Sequence, residues 1–323
     1  MIAAAPLQEV PLAGLDLEDC AFLFSPPGDL SLLKASLREV GLLNPPWLRA
    51  VSGDRFQAVT GRKRLAAAVQ LGWPRLTARV LPADAPEASC LLLHLHDNAF
   101  NRPFNHLEQA RLAVRLQKHW DRQVVVEKFL PLLGLAPSFT LLERLLALAQ
   151  LEEPLQQLAA RGRLALPAAA LLAAWHPADR GALVPFLEKL PLSQSKQEEF
   201  IQGLHLVARR EDSSPGEIIS RKEFQRHLAE GGGTPQMQAA ALRLLLQKML
   251  SPRFSAAQEA FQNGLQRLGL RNHPRLRLHP PPAMEGPNFH LEINFQDAGE
   301  LQKLLGELAR LAREDEFAAL TRV

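Results

Sequence analysis

A chain of 323 residues is long enough for two or three domains. Hydrophobic residues make up 47%, aromatics only 6% with no tyrosine, and Leu and Ala dominate, a composition that favours helix over sheet. The balance of 37 Lys and Arg against 34 Asp and Glu gives a formal charge of +3, compatible with a nucleic-acid partner but not evidence of one. Two cysteines, Cys20 and Cys90, exclude a disulfide framework or a cysteine-built metal centre. No apolar run is long enough to span a membrane, and Met1 to Pro6 lacks the basic flank of a signal peptide, so a cytoplasmic protein is expected.

In chain order, residues 6–24 carry Pro6, Pro11 and Gly14 and read as an irregular or short-stranded lead-in. Pro26-Pro27-Gly28-Asp29 is a turn, with Asp29 expected to N-cap a helix over 30–40 that stops at Gly41. Asn44-Pro45-Pro46 is a rigid extended turn. Strands are expected over 47–51 and 56–60, joined at Gly53-Asp54, then a helix over 63–71 ending at Gly72 and a strand over 76–81. A helix over 87–95 holds Cys90 as a buried thiol. The first hundred residues are therefore expected to form a small α/β or α+β domain.

Beyond residue 105 nearly everything reads as helix. Asn105 followed by Glu108 resembles a capping box opening a helix to about Trp120. Further helices are expected over 124–132, 140–150, 154–161, 167–175, 177–187, 194–211 and 215–229. Gly231-Gly232-Gly233-Thr234-Pro235 is a linker. After it come a long helix over 236–268 interrupted near Pro252, two alternating strands over 275–279 and 289–295, and a last helix over 299–313. Such a helix–hairpin–helix is small for independent stability and is expected to pack on a copy of itself.

The most informative run is Gly61-Arg62-Lys63-Arg64, between a strand and an apolar helical stretch. A helix start carries unpaired N–H groups and partial positive charge, so three cations there oppose the dipole unless an anion such as a polyphosphate covers that end. A solvated basic turn is the alternative. A second polar cluster follows, Asp97-Asn98, Asn101-Arg102, then the capped helix. Carboxylate and amide oxygens suit Mg2+, which is often held jointly with phosphates, and an arginine such as Arg102 suits phosphate itself. Plain helix capping is again the alternative.

Taken together, the two clusters resemble the ParB family of chromosome- and plasmid-partitioning proteins. Gly41-Leu42-Leu43-Asn44-Pro45-Pro46 resembles the family's Gly-Leu-Leu-Gln-Pro-Ile segment, and Gly61-Arg62-Lys63-Arg64-Leu65-Ala66-Ala67 resembles its Gly-Glu-Arg-Arg-x-Arg-Ala phosphate motif. Asp97-Asn98 followed by Asn105-His106-Leu107-Glu108-Gln109-Ala110 resembles Glu-Asn-x-x-Arg and then Asn-Pro-x-Glu-x-Ala. The likeness covers about residues 10–175, including a leucine-rich helix over 145–151 and the turn at Arg161-Gly162-Arg163. It implies a mostly helical, multidomain protein. Residues 1–104 would form a nucleotide-binding α/β domain and 105–229 an all-helical helix-turn-helix domain. A linker over 230–236 would lead to an α+β dimerisation domain over 237–323. The implied ligands are CTP, or another nucleoside triphosphate, with Mg2+. The implied partners are DNA, a second copy and a ParA-like ATPase, at the nucleoid and not at a membrane. Carried over by position, Gly61, Arg62, Lys63 and Arg64 would cradle phosphates, Asn98 and Arg102 would join them, Asn44 would lie near the base, and Asp97 with Asn98 would hold the metal.

The motif residues differ in places. Arg62 and Lys63 replace a Glu and an Arg, and a lysine is a point charge without the bidentate fork. Asp97 replaces the longer Glu, and the arginine due at 101 is displaced to Arg102. In the helix-turn-helix expected over 125–132, 134–137 and 138–150, Ser138, Thr140 and Arg144 are the residues placed to meet DNA. Phe139 stands where the family has an arginine, Glu143 repels phosphate, and the helix is apolar most of the way round, as a buried helix would be. CTP hydrolysis stays open. Two rival readings also remain: a nuclease or other phosphate-processing enzyme using His94 or His96 beside Asp97, and an interaction protein that has lost both ligands.

Overall fold

The computed structural model describes residues 5–16, 19, 22, 24, 28–229 and 233–321. Cys20, Pro26 and Pro27 of the expected lead-in, and Gly231 and Gly232 of the linker, lie outside the described residues. Helices dominate, and the chain forms two compact units, Met1–Ile201 and Gln202–Val323.

The first unit opens as a small α/β domain. Strands β1 (Leu7–Pro11) and β2 (Leu15–Asp16) precede α1 (Ser31–Val40), followed by β3 (Trp47–Ala50), β4 (Phe56–Ala58), α2 (Arg62–Gln70) and β5 (Arg75–Leu81). The sheet order is β1-β5-β3-β4-β2, with β1–β5 and β3–β4 antiparallel and β3–β5 and β2–β4 parallel. Alternation along β5 turns Leu76, Ala78 and Val80 onto Leu48, Leu65 and Ala68, a core in which Leu48 and Leu65 are wholly buried. Each such side chain contributes about 1.5–3 kcal/mol, and the core clamps α2 onto the sheet.

Asp29 does not cap α1. Leu30 holds the cap position, and Asp29 accepts hydrogen bonds from the Ser31 backbone N–H (2.9 Å) and hydroxyl (2.6 Å), one residue earlier than a cap would sit. Gly41 stops α1 as expected, with φ of 73°.

Helix α3 (Glu87–Ala99) runs a full turn beyond the sequence expectation. The apolar spacing fades after Leu95, but the Asn98 side-chain amide donates to the His94 carbonyl (2.8 Å) and ties that last turn to the helix. Cys90 is buried and free, and burial pushes its thiol pKa up.

The rest of the unit is helical: α4 (His106–Leu116), α5 (Arg122–Val124), a π-helical segment Val125–Phe129, α6 (Leu130–Leu132), α7 (Phe139–Ala149), α8 (Glu153–Ala160), α9 (Leu166–Ala173) and α10 (Pro177–Lys189). Helix α7 packs on α4 and α9 through buried Leu142, Leu145 and Leu148. The unit boundary falls within α11 (Gln194–Arg210).

In the second unit the helix expected over 215–229 is two helices, α12 (Pro215–Ile219) and α13 (Lys222–Ala229). The Gln225 side chain donates to the Ile219 carbonyl (2.9 Å) and closes the first of them. Helices α14 (Pro235–Leu250) and α15 (Pro252–Arg267) meet at Ser251, a break that Pro252 enforces because it has no N–H to continue the ladder. Strands β6 (Leu276–His279) and β7 (His290–Ile293) form an antiparallel pair, followed by α16 (Ala298–Leu311) and a further helix, α17 (Asp315–Leu320). Phe261, Leu265, Leu276 and Leu304 are among the residues of its core.

Candidate functional site

The start of α2 is the centre of the site. Gly61 adopts a left-handed conformation (φ 72°, ψ 20°) at the N-cap, a region open to glycine at little cost. A Cβ there would lie 2.7 Å from Pro46 Cβ and 3.1 Å from the Arg64 guanidinium, so the position has no room for a side chain. Among the described residues no side chain caps this helix. Its first turn is therefore a set of donor N–H groups flanked by Arg62, Lys63 and Arg64.

The three cations are held differently. Arg62 donates to the Asp19 carbonyl (2.5 Å). Arg64 donates to the Asn44 carbonyl and lies 3.6 Å from Asp97 Oδ2. Lys63 is exposed. The Arg64–Asp97 pair is partly open to water and long, so it adds at most about 1 kcal/mol and an incoming anion can displace it.

Facing α2 is the last turn of α3. Asp97 and Asn98 lie on it, and one turn earlier stands His94, whose Nδ1 donates to the Val59 carbonyl (2.9 Å). The His94 ring is 4.8 Å from the Phe24 ring and 6.5 Å from Phe22. Burial holds the His94 pKa below the ordinary histidine value, overcoming the opposing hydrogen bond to Val59 and the Asp97 charge. This neutral, packed imidazole is a wall of the site, and His96 points elsewhere, exposed and stacked on Phe100.

Helix α4 closes the cleft. Asn105 accepts from the Glu108 N–H (2.9 Å) while Glu108 Oε2 accepts from the Asn105 N–H (3.0 Å), a complete capping box. Glu108 is 1% exposed and also takes both terminal nitrogens of Arg102, at 2.6 and 2.7 Å. Those hydrogen bonds raise the Arg102 pKa against the cost of burial. From the same helix, Arg111 donates to the Phe24 carbonyl (3.2 Å) and Arg115 lies over the Phe22 ring (5.8 Å), which fixes the aromatic wall.

These elements enclose a cleft of about 190 Å3 lined by Gly61, Arg62, Lys63, Arg64, Asp97, Asn98 and Arg102, with Phe22, Phe24, Val59, Thr60, His94 and Glu108. Four of its side chains are cationic and two carry carboxylates. Asn44 does not line it and meets it only through the carbonyl that holds Arg64. Among the described residues no three His, Cys, Asp or Glu side chains gather around one point. Asp97 and the Asn98 Oδ1 form a sparse oxygen donor set, which fits Mg2+ only where phosphate and water complete its shell.

The residues expected to meet DNA lie apart, on α7. The Ser138 hydroxyl caps the helix by accepting from the Leu141 N–H (3.4 Å). Thr140 is exposed, Arg144 is half-buried, and Glu143 pairs with Arg122. The helix buries one stripe and leaves Phe139, Thr140 and Glu143 open, so it is amphipathic rather than buried all round.

Sequence reasoning missed the aromatic pair Phe22 and Phe24, since the lead-in gives no periodic signal. It placed Glu108 as a cap without its second role as the partner of Arg102. The only sequence hint was an arginine six residues before a capping glutamate.

Residues 24–98 match the ParB N-terminal domain. The likeness to the ParB family read from the sequence is borne out over that domain. A "Probable chromosome-partitioning protein ParB" of Pseudomonas putida is 25% identical over 185 residues, 57% of this chain and 54% of that protein. A "Probable plasmid-partitioning protein ParB" of Thermus thermophilus is 37% identical over 81 residues, 25% of this chain and 26% of the relative. The chain spans about half the length, or less, of these curated relatives. Among solved structures it is similar to a C-terminally truncated ParB from Caulobacter crescentus. The complex with the centromeric parS site has a TM-score of 0.34 and 21% identity, over 60% of this chain and 98% of that one. The complex with CTP-gamma-S has a TM-score of 0.26 and 22% identity, over 57% and 99%.

Proposed function

We propose that this protein binds a nucleoside triphosphate, CTP by its resemblance, together with Mg2+ in the cleft between α2 and α3, and acts with DNA in chromosome or plasmid partitioning. One observation carries the reading: the uncapped, cationic start of α2 opens onto the same cleft as Asp97 and Asn98. Phosphates there would meet the α2 N–H groups, Lys63 and Arg64, drawing Arg64 away from Asp97. That exchange frees the Asp97 carboxylate for a cation bridging to the phosphates. The cleft is smaller than the roughly 300–1,000 Å3 of most small-molecule sites, so it suits the polyphosphate end and leaves the base outside it.

Residues 1–104 serve as the nucleotide domain in this reading, 105–229 as the DNA-binding domain through Ser138, Thr140 and Arg144, and 237–323 as the dimerisation domain behind a 230–236 linker. Nucleotide would act through the loop at 101–105, where Arg102 sits between the cleft and the α4 cap, and would close a dimeric clamp around DNA.

The test is titration calorimetry of CTP with Mg2+ against the wild type and a Lys63→Ala/Arg64→Ala variant. Wild-type binding is expected to weaken at least 100-fold in the variant, about 2.7 kcal/mol, with the unliganded melting temperature little changed because Lys63 is exposed. Equal binding by the two proteins removes the site. A wild type that binds no nucleoside triphosphate removes the reading.

A further inference from the structure

The hairpin of the second unit carries a juxtaposition that plays no part in the nucleotide site. His279 on β6 and His290 on β7 are direct register partners, and Arg277 faces Glu292 one pair further along the same face. Both histidines are exposed, and their ring centroids are 6.0 Å apart. The His279 Nε2 lies 3.6 Å from Glu292 Oε2. Two ligands on a tetrahedral zinc ion, at about 2.0–2.2 Å each, sit roughly 3.3–3.5 Å from one another. The His279–Glu292 separation is thus already close to that of a shared ligand pair, and the His290 ring would have to turn to join them.

We propose that His279, His290 and Glu292 form a surface site for a zinc-class divalent cation that clips β6 to β7. The backbone supplies the pre-organisation. The ladder fixes the two histidines opposite each other, and the two strands are anchored beneath by buried Leu276 and Leu278. As placed, no three such side chains among the described residues could hold a metal ion, so binding requires the side chains to reorient. The Asn294 amide donates to Glu292 (2.9 Å) and Arg277 is its partner across the ladder, so both compete for that carboxylate. The imidazoles therefore carry most of the affinity, and Glu292 adds to it. Nitrogen ligands select zinc over magnesium, which demands an oxygen shell. A hard cation at the nucleotide cleft and a borderline one at the hairpin would then be sorted by donor chemistry. Binding to the folded hairpin alone stabilises the second unit by mass action.

The experiment is calorimetric titration of the full chain with zinc chloride in excess Mg2+ and without nucleotide, for the wild type, His290→Ala and the His279→Ala/His290→Ala double variant. All three positions are on the surface, so the variants keep the fold, which far-ultraviolet circular dichroism checks. One zinc per chain in the micromolar range is expected, weakened at least tenfold by His290→Ala and lost in the double variant. Zinc is also expected to raise the wild-type melting temperature and not that of the double variant. Zinc binding of unchanged stoichiometry and affinity in the double variant overturns the proposal, as does a wild type that binds none. Neither result bears on CTP binding, which is measured separately.

Discussion

Two helix starts face the same cleft and are built in opposite ways. The start of α4 is closed by its own side chains: Asn105 and Glu108 cap each other, and buried Glu108 also grips Arg102. The start of α2 is built otherwise: glycine at the cap, no capping side chain among the described residues, and three cations where a lone helix would favour carboxylates. A self-satisfied helix start serves the fold. One that gathers cations over its own donor groups is stable only where the surrounding core holds it in place, and wholly buried Leu65 does so here. In the proposed reading, α4 serves stability and α2 serves ligand binding.

Glu108→Ala is the change expected to break this division most visibly. It removes half of the capping box and leaves the half-buried Arg102 without its bidentate partner. Loss of one member of such a pair costs on the order of 3 kcal/mol, read as a fall in the urea midpoint at constant m-value. Arg64→Ala, on the α2 side, should move the midpoint little. Equal losses from the two would show that the open helix start is as structural as the closed one.

Gly61→Ala sharpens the comparison from the other side. Alanine in the left-handed region costs about 1–2 kcal/mol, and the added Cβ would press on Pro46 and the Arg64 guanidinium. Stability should fall by about 2 kcal/mol, and anion binding should fall with it because Arg64 is pushed from its place. A variant with wild-type stability and CTP affinity would show that the left-handed glycine is incidental.

The two starts were unequally legible in the sequence. Gly61 with its cations could be read because glycine and a charge run are local signals, and Asn105 with Glu108 could be read because the capping box has a fixed spacing. The last turn of α3 was lost, since His94, His96 and Asp97 interrupt the apolar period while the bond that extends the helix, from Asn98 to the His94 carbonyl, is a side-chain choice. The break between α12 and α13 was lost for the reverse reason: neither glycine nor proline marks Ser220 and Arg221, and the bond that closes the first helix comes from the side chain of Gln225, six residues on. Phe22 and Phe24 carry no pattern at all. They belong to the site through Arg111 and Arg115, 87 and 93 positions along the chain.

That aromatic wall supplies the smallest effect and a pH test of the cleft. His94 is packed between the two starts, donating to the Val59 carbonyl just before Gly61, and burial holds its pKa below 6.5 in the folded state. The unfolded chain therefore takes up this proton first as the pH falls, and protons favour the unfolded state. The contribution of His94 to stability is complete above pH 6.5 and is lost as the pH drops from there through the folded-state value. His94→Gln keeps a donor for Val59 but cannot titrate, so its stability should fall less steeply than that of the wild type between pH 6.5 and 5, measured by urea unfolding at a series of pH values. An identical slope in the two proteins would mean that His94 is already solvated like an unfolded histidine. The wall of Phe22 and Phe24 would then not be dry, and the cleft proposed for phosphate would lose the low-dielectric side that strengthens its charges.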